Sequence, residues 1–230
     1  FSPSGALEIR LAGYEFDKMR KRIIRHLNQR SEMLSGISHD LRTPLTRIKL
    51  QLAFIKDANI SKKLSDDVNE MEKMLSEYLQ FARSGAKEQT EKFDLSELID
   101  SAVKKYNNPN ISFISEELVY FFGRKNLILR CINNFIDNSA KYANKIVIKL
   151  EKHNNNLNIF IEDDGPGIPV SEYQNVFKPF YKIDKSRAGS KSSVGLGLSI
   201  SSDIVRSHGG SIELAESGMG GLKVKISLPS

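Results

Sequence analysis

From Phe16 to about Ile55 apolar residues return every three or four positions: Ile23, Leu27, Leu34, Ile37, Leu41, Leu45, Ile48, Leu52 and Ile55. That spacing lines one face of a helix. The stretch "KDANIS" interrupts it, with Asn59 and Ser61 as turn and cap residues. A second stripe follows at intervals of 4-3-4-3-4: Leu64, Val68, Met71, Leu75, Tyr78 and Ala82. Two long helices joined by a short turn predict an antiparallel hairpin. Both stripes are narrow, and one hairpin cannot shield the two of them. Two copies forming a four-helix bundle can, so the pattern predicts a homodimer.

After "RSGAKEQTEKFDLSEL" the periodicity changes, and residues 85–92 read as a polar linker. Strands are expected at "ISFI", "LVYFF", "KIVIKL" and "LNIFIED", the last two flanking the Asn-rich turn "EKHNNN". "SIELAE" and "LKVKISLP" should pair across "SGMGG". Helices read at about 94–106, 124–142 and 195–208. The expected class is α+β: a dimeric helical hairpin, then an α/β sandwich with a mixed sheet of about five strands and its helices on one face.

With 40% hydrophobic and 27% charged residues, the composition is that of a soluble globular protein rather than a disordered one. No apolar run reaches the roughly 18 residues of a membrane span. The first residues also lack the basic start and apolar stretch of a signal peptide. The expectation is a cytoplasmic piece of something longer. The single cysteine, Cys131, excludes an internal disulfide, fits a reducing compartment and reads as a buried, inert thiol. Net charge is +6, much of it in "DKMRKRIIRHLNQR". No interleaved aromatics or zinc spacing accompany that run, so direct nucleic-acid binding is not expected. A solvated helix face, near anionic lipid, accounts for it. His26, His153 and His208 read as surface residues, and Met33, Met71 and Met74 as bundle packing.

The candidate chemistry begins at "SHDLRTPL", residues 38–45. At about 100° per residue, His39 lies about 200° from both Ile37 and Leu41, away from the apolar stripe. Pro44 removes the hydrogen bond to the Asp40 carbonyl and should bend the helix beside the histidine. Asp40 can hold Nδ1–H and leave Nε2 free as a nucleophile. A surface His–Asp pair without a role fits this stretch equally well. In the second half, Asn134, Asn138 and Lys141 form one polar stripe beside Ile128, Ile132 and Ile136. Buried amides need partners. Amide oxygens suit Mg²⁺ held through phosphates, and a lysine suits phosphate itself. "IEDDGPGIP" ends a strand at Asp163, an acceptor-only carboxylate for an amino group such as that of adenine, with Gly165 and Gly167 permitting close approach. "SVGLGLSI" sets Gly195 and Gly197 at a helix start, where N–H groups attract phosphate. Each signal is weak alone, but the ordered set is specific.

These motifs resemble the boxes of bacterial two-component sensor histidine kinases: SHDLRTPL the H box, NNFIDNSAKYA the N box, EDDGPGI the G1 box, VFKPFYK the F box and SVGLGL the G2 box. The likeness covers about residues 16–230. The run SHDLRTPLTRIKL most resembles the EnvZ-like osmosensing kinases, which act on an OmpR-type response regulator. Residues 1–30 resemble the end of a HAMP signal-relay helix. The implied domains are a phosphotransfer hairpin at 31–84 and a catalytic ATP-binding domain at 93–230, within a receptor of the bacterial inner membrane.

The resemblance implies roles for individual residues. His39 is the phosphoacceptor, Asp40 the acid beside it, and Thr43 the residue that orients water to dephosphorylate the regulator. Asn138 is the Mg²⁺ ligand, with Asn134 beside it, for a Mg-ATP substrate. Lys141, Tyr142, Tyr181 and Lys182 are nucleotide contacts, Asp163 reads adenine, and Gly165, Gly167, Gly195, Leu196 and Gly197 border the nucleotide. Phe177 and Phe180 anchor the lid. Ser193 and Val194 stand where the family has Gly and Thr or Ser. That departure predicts a weakly ordered lid at 183–193.

Overall fold

The computed structural model describes residues 7–55, 57–115, 117–153, 156–183 and 195–229. The chain divides into two compact units, 1–87 and 88–230.

In the first unit, helix α1 (Leu7–Leu52) and helix α2 (Ala58–Lys87) form the expected hairpin. α1 runs through Pro44 without a break. Two residues on, the Thr46 hydroxyl donates to the Arg42 carbonyl at 2.9 Å, the back-bond of a hydroxyl four residues downstream. The turn is closed from both sides. Asp57 Oδ1 accepts from the N–H groups of Asn59 and Ile60 at 2.9 and 3.1 Å, and Ser61 Oγ donates to the Leu52 carbonyl at 3.0 Å. The capping residue is thus Asp57, with Ser61 closing the end of α1 instead.

Each expected stripe proves to be two seams. Leu45, Leu52 and Val68 are buried against each other, with Leu75 beside them. Leu41, Ile48, Leu64 and Met71 lie on the adjoining seam and are 39–53% exposed. Lys49 Nζ and Glu72 Oε2 close the hairpin at 2.6 Å.

In the second unit, strand β1 (Glu91–Asp94) precedes helix α3 (Leu95–Lys105), strand β2 (Ile111–Ser115), strand β3 (Tyr120–Gly123) and helix α4 (Lys125–Tyr142). Strands β4 (Ile146–His153) and β5 (Asn156–Asp163) follow, then two 3₁₀ turns (Val170–Glu172 and Asn175–Phe177), helix α5 (Gly197–Ser207), and strands β6 (Ser211–Glu216) and β7 (Leu222–Pro229). Five strands form one mixed sheet in the order β2-β4-β5-β7-β6, with only the β2–β4 pair parallel.

Along β4, β5 and β7 buried positions alternate with half-buried ones. Ile146, Ile148, Leu150, Leu157, Ile159, Ile161, Val224, Ile226 and Leu228 face the core, which α4 fills with Leu127, Ile128, Cys131, Ile132, Phe135 and Ile136. The opposite face is polar, with Lys223–Glu162 and Lys225–Glu213 pairs at 3.2 Å. This is the expected sandwich, with helices on one side of the sheet.

Two sequence expectations shift here. The polar stretch 85–92 is helical to Lys87 and extended from Glu91. Polarity alone does not stop a helix that gains a hydrogen bond with every added residue. The strand expected at 118–122 lies outside the large sheet: β3 pairs antiparallel with β1 in a separate ribbon. Phe93 and Phe121 meet edge to face inside it, with centroids 5.9 Å apart. Asp94 caps α3 by accepting from Glu97 N–H at 3.0 Å.

Candidate nucleotide and phosphoacceptor sites

His39 and its neighbours lie within α1. The expected outward placement of the His39 side chain lies outside the described residues, as do the side chains of His26 and Met74. Asp40 and Thr43 are exposed, and Thr43 sits one helical turn beyond position 39.

The second site forms where β5, α4 and β7 meet. Strand alternation decides which of two adjacent aspartates serves it. Asp163 shares the core face with Ile159 and Ile161 and is only 6% exposed. Asp164 points the other way and is exposed; its Oδ1 accepts the N–H groups of Asn144 and Lys145 at 2.8 Å each. Those backbone donors, Lys145 first, hold the Asp164 carboxyl below the ordinary carboxylate range.

The Asp163 carboxylate is held from three elements. Oδ1 accepts from Gly165 N–H and Leu222 N–H, both at 3.0 Å, and Oδ2 accepts from Ser139 Oγ–H at 2.7 Å. A carboxylate offers about four lone-pair sites, so one acceptor position on Oδ2 remains for an incoming donor. Backbone packs hard against this group. A Cβ at Gly221 would stand 2.4 Å from both the Asp163 carbonyl and Oδ1. Gly167 has φ +68°, a conformation that favours glycine.

Along α4 the three polar residues part company. The Asn134 amide donates to the Gly197 carbonyl at 3.1 Å and to Ser201 Oγ at 3.2 Å. These bonds use its N–H groups to hold α5 against α4. Asn138 is half-buried, and its amide has no hydrogen-bond partner among the described residues. Lys141 is half-buried on the same face, and Tyr142 is exposed.

Among the described residues no side chain caps the start of α5 at Gly197, and the first N–H groups of a helix attract anions. Before it, Phe180 N–H donates to the Gly195 carbonyl at 2.9 Å. Phe180 and Gly195 both have positive φ, 63° and 77°, and a Cβ at Gly195 would approach Tyr181 O at 3.0 Å. Among the described residues, Phe180 and Gly195 are thus the left-handed positions of this junction. Ser193, Val194 and the expected lid from 184 lie outside the described residues. Of the other expected lid residues, Phe177 and Tyr181 are half-buried, while Phe180 and Lys182 are exposed. The Tyr181 hydroxyl donates to Glu172 Oε2. That bond raises the phenol and lowers the carboxyl from their ordinary values.

Ser139, Gly221 and Glu172 escaped the sequence reading. Ser139 could have been found, because a hydroxyl there interrupts the buried stripe of Ile128, Ile132, Phe135 and Ile136. His208 is a correction. It is half-buried, with Nδ1 bonded to the Ile204 carbonyl at 2.8 Å and Nε2 accepting from Arg124 N–H at 3.1 Å. Cys131 is buried and inert as expected, its thiol pushed up to about 12 by burial.

A domain model described as "His Kinase A (phospho-acceptor) domain" matches residues 29–87. A second, "Histidine kinase-, DNA gyrase B-, and HSP90-like ATPase", matches 123–230. A phosphoacceptor domain followed by an ATPase domain of this type is the arrangement of a sensor histidine kinase. The chain belongs to that family. It is 33% identical to the sensor histidine kinase GtrS of Pseudomonas aeruginosa, over 99% of this chain and 49% of that one. It is 28% identical to the sensor histidine kinase CpxA of Escherichia coli, over 98% and 52%. The kinase chain thus spans about half the length of the curated relatives it matches. Among solved structures, full-length ShkA in complex with AMPPNP shares the fold, with a TM-score of 0.68 and 19% identity over 86% of this chain and 45% of that one. The mycobacterial sensor histidine kinase MprB matches with a TM-score of 0.53 and 26% identity, over 61% and 97%.

Proposed function

We propose that this chain is the cytoplasmic core of an ATP-dependent protein-histidine kinase that phosphorylates His39 and passes the phosphoryl group to an aspartate of an OmpR-type response regulator. The observation that carries the reading is the buried Asp163 carboxylate, which keeps one open acceptor position within a site whose Asn138 amide has no hydrogen-bond partner among the described residues.

This donor and acceptor set fits Mg-ATP. Asp163 Oδ2 accepts from the adenine amino group. The Asn138 oxygen is the hard ligand for Mg²⁺, Lys141 and the first N–H groups of α5 meet phosphate, and the glycines allow the close approach. Mg²⁺ supplies neutralisation of phosphate charge. His39 Nε2 donates its lone pair to the γ-phosphorus, the bond to the β–γ bridging oxygen breaks, and ADP leaves. Asp40 holds Nδ1–H and stabilises the charge that develops on the ring. Thr43, exposed one turn along α1, orients water for dephosphorylation of the regulator, which makes the enzyme bifunctional. In the cell the whole protein is a homodimer in the bacterial inner membrane, reached through a HAMP-like segment at residues 1–30.

Incubation with γ-labelled ATP tests the reading. The wild type should retain acid-labile label, and His39→Gln should bind ATP yet retain none. Label persisting on His39→Gln would remove the assignment. A wild type that binds ATP without labelling would favour a nucleotide-binding dimeric scaffold.

A further inference from the structure

We infer that Ser139 is a positioning residue for purine selectivity, fixing the Asp163 carboxylate so that Oδ2 meets an exocyclic amino group at the purine 6-position. This rests on the reading of Asp163 as the adenine contact and adds a residue to it. The two carboxylate oxygens are held by different means. Oδ1 is anchored by two backbone donors, Gly165 N–H and Leu222 N–H, both at 3.0 Å. Those bonds hold one oxygen, so rotation about Cβ–Cγ, which swings both oxygens together, is resisted at that end alone.

The Ser139 hydroxyl supplies the third point. It donates from α4 to Oδ2 at 2.7 Å, the length of a strong charge-assisted bond. Ser139 is only 4% exposed, so water cannot readily take its place. Burial also makes the hydroxyl costly without a partner, which ties its position on α4 to the orientation of Asp163 on β5.

Selectivity follows from the chemistry of the fixed group. With the Ser139 proton already directed at it, Oδ2 presents only acceptor capacity to the site. An amino group satisfies that capacity, whereas a 6-oxo purine sets an oxygen against a carboxylate. Without the hydroxyl the carboxylate is held at Oδ1 alone, and holding Oδ2 in place falls to the nucleotide. Only a nucleotide that donates to Oδ2 bears that cost.

Titration calorimetry on the full chain tests this with the β,γ-imido triphosphates of adenosine and inosine. The wild type should prefer the adenosine compound. In Ser139→Ala the preference should fall about tenfold, the lower end of what one hydrogen bond to a charged group contributes. The fall should come from weaker adenosine binding, with inosine binding unchanged. Ser139→Cys preserves bulk but donates weakly, so it should show the same loss if the alanine variant folds poorly. Equal weakening of both nucleotides would mean a merely structural serine and would overturn the inference. Intact preference in both Ser139 variants, with loss in Asp163→Asn, would overturn it while leaving the adenine reading in place. Absence of any preference in the wild type would overturn both.

Discussion

Asp163 and Asp164 are chemically identical neighbours with opposite surroundings, and the period-2 alternation of β5 is the cause. One carboxylate enters the core and needs three donors to be tolerated there; the other braces the chain at Asn144 and Lys145 in solvent. The same economy of space governs Gly221. Its backbone lies so close to Asp163 that a Cβ would meet Oδ1 at 2.4 Å and Gly165 N at 2.5 Å, contacts that force the carboxylate or the strand to move. Gly221→Ala should therefore lower stability by about 1–3 kcal/mol, the usual cost of overpacking, and abolish adenine-nucleotide binding. Gly218→Ala is the control, since nothing lies within 4 Å of a Cβ there; its melting temperature and nucleotide affinity should match the wild type. Equal behaviour of the two variants would show that the carboxylate does not depend on the space at Gly221.

At the scale of elements, α5 is tied to α4 at both ends, by Asn134 of α4 and by its own C-cap residue His208. Asn134 grips its first turn, and His208 joins its last turn to the start of α4. In that bridge Nε2 accepts, so the imidazole must be neutral; burial first, and Arg124 further, lower its pKa from the ordinary 6.5, against the hydrogen bond to Ile204 and the pull of Glu88. The unfolded chain then binds a proton that the folded chain resists. The bridge's stability is thus fully present above about pH 6.5 and is lost as pH falls below it. Thermal melting followed from pH 8 to 5.5 should show a steeper fall for the wild type than for His208→Gln; parallel slopes would rule the bridge out as the source. Such ties also mark where sequence stops informing. α4, β4, β5 and β7 were legible because their apolar periodicity is strong. β1 was not, since only Phe93 of its four residues is buried. The place of Asp163 at the end of β5, shortly before Gly165 and Gly167, was readable from the stretch IEDDGPGIP. The ties made by Asn134 and His208 were not legible, because a polar side chain does not encode which helix turn will meet it.

For the whole molecule, the division of the hairpin stripes into two seams makes the oligomeric state testable. A surface seam of Leu41, Ile48, Leu64 and Met71 beside a buried one of Leu45, Leu52 and Val68 is the pattern of a helix pair that supplies half of a larger core. Upstream on α1, Ile9, Phe16 and Ile23 continue at seven-residue intervals and are 52–63% exposed, as coiled-coil seam positions are before they meet a partner. Ile48→Glu combined with Met71→Glu places charge on the outer seam and leaves the inner one intact. This double variant should remain helical by circular dichroism but sediment as a monomer. Leu45→Ala opens a cavity in the inner seam and should instead cost about 2–5 kcal/mol in melting experiments at fixed protein concentration. If the double glutamate variant still sediments as a dimer, the outer seam is not where two copies meet. If it unfolds outright, the hairpin has no stability apart from its partner, and melting of the wild type must then rise with protein concentration.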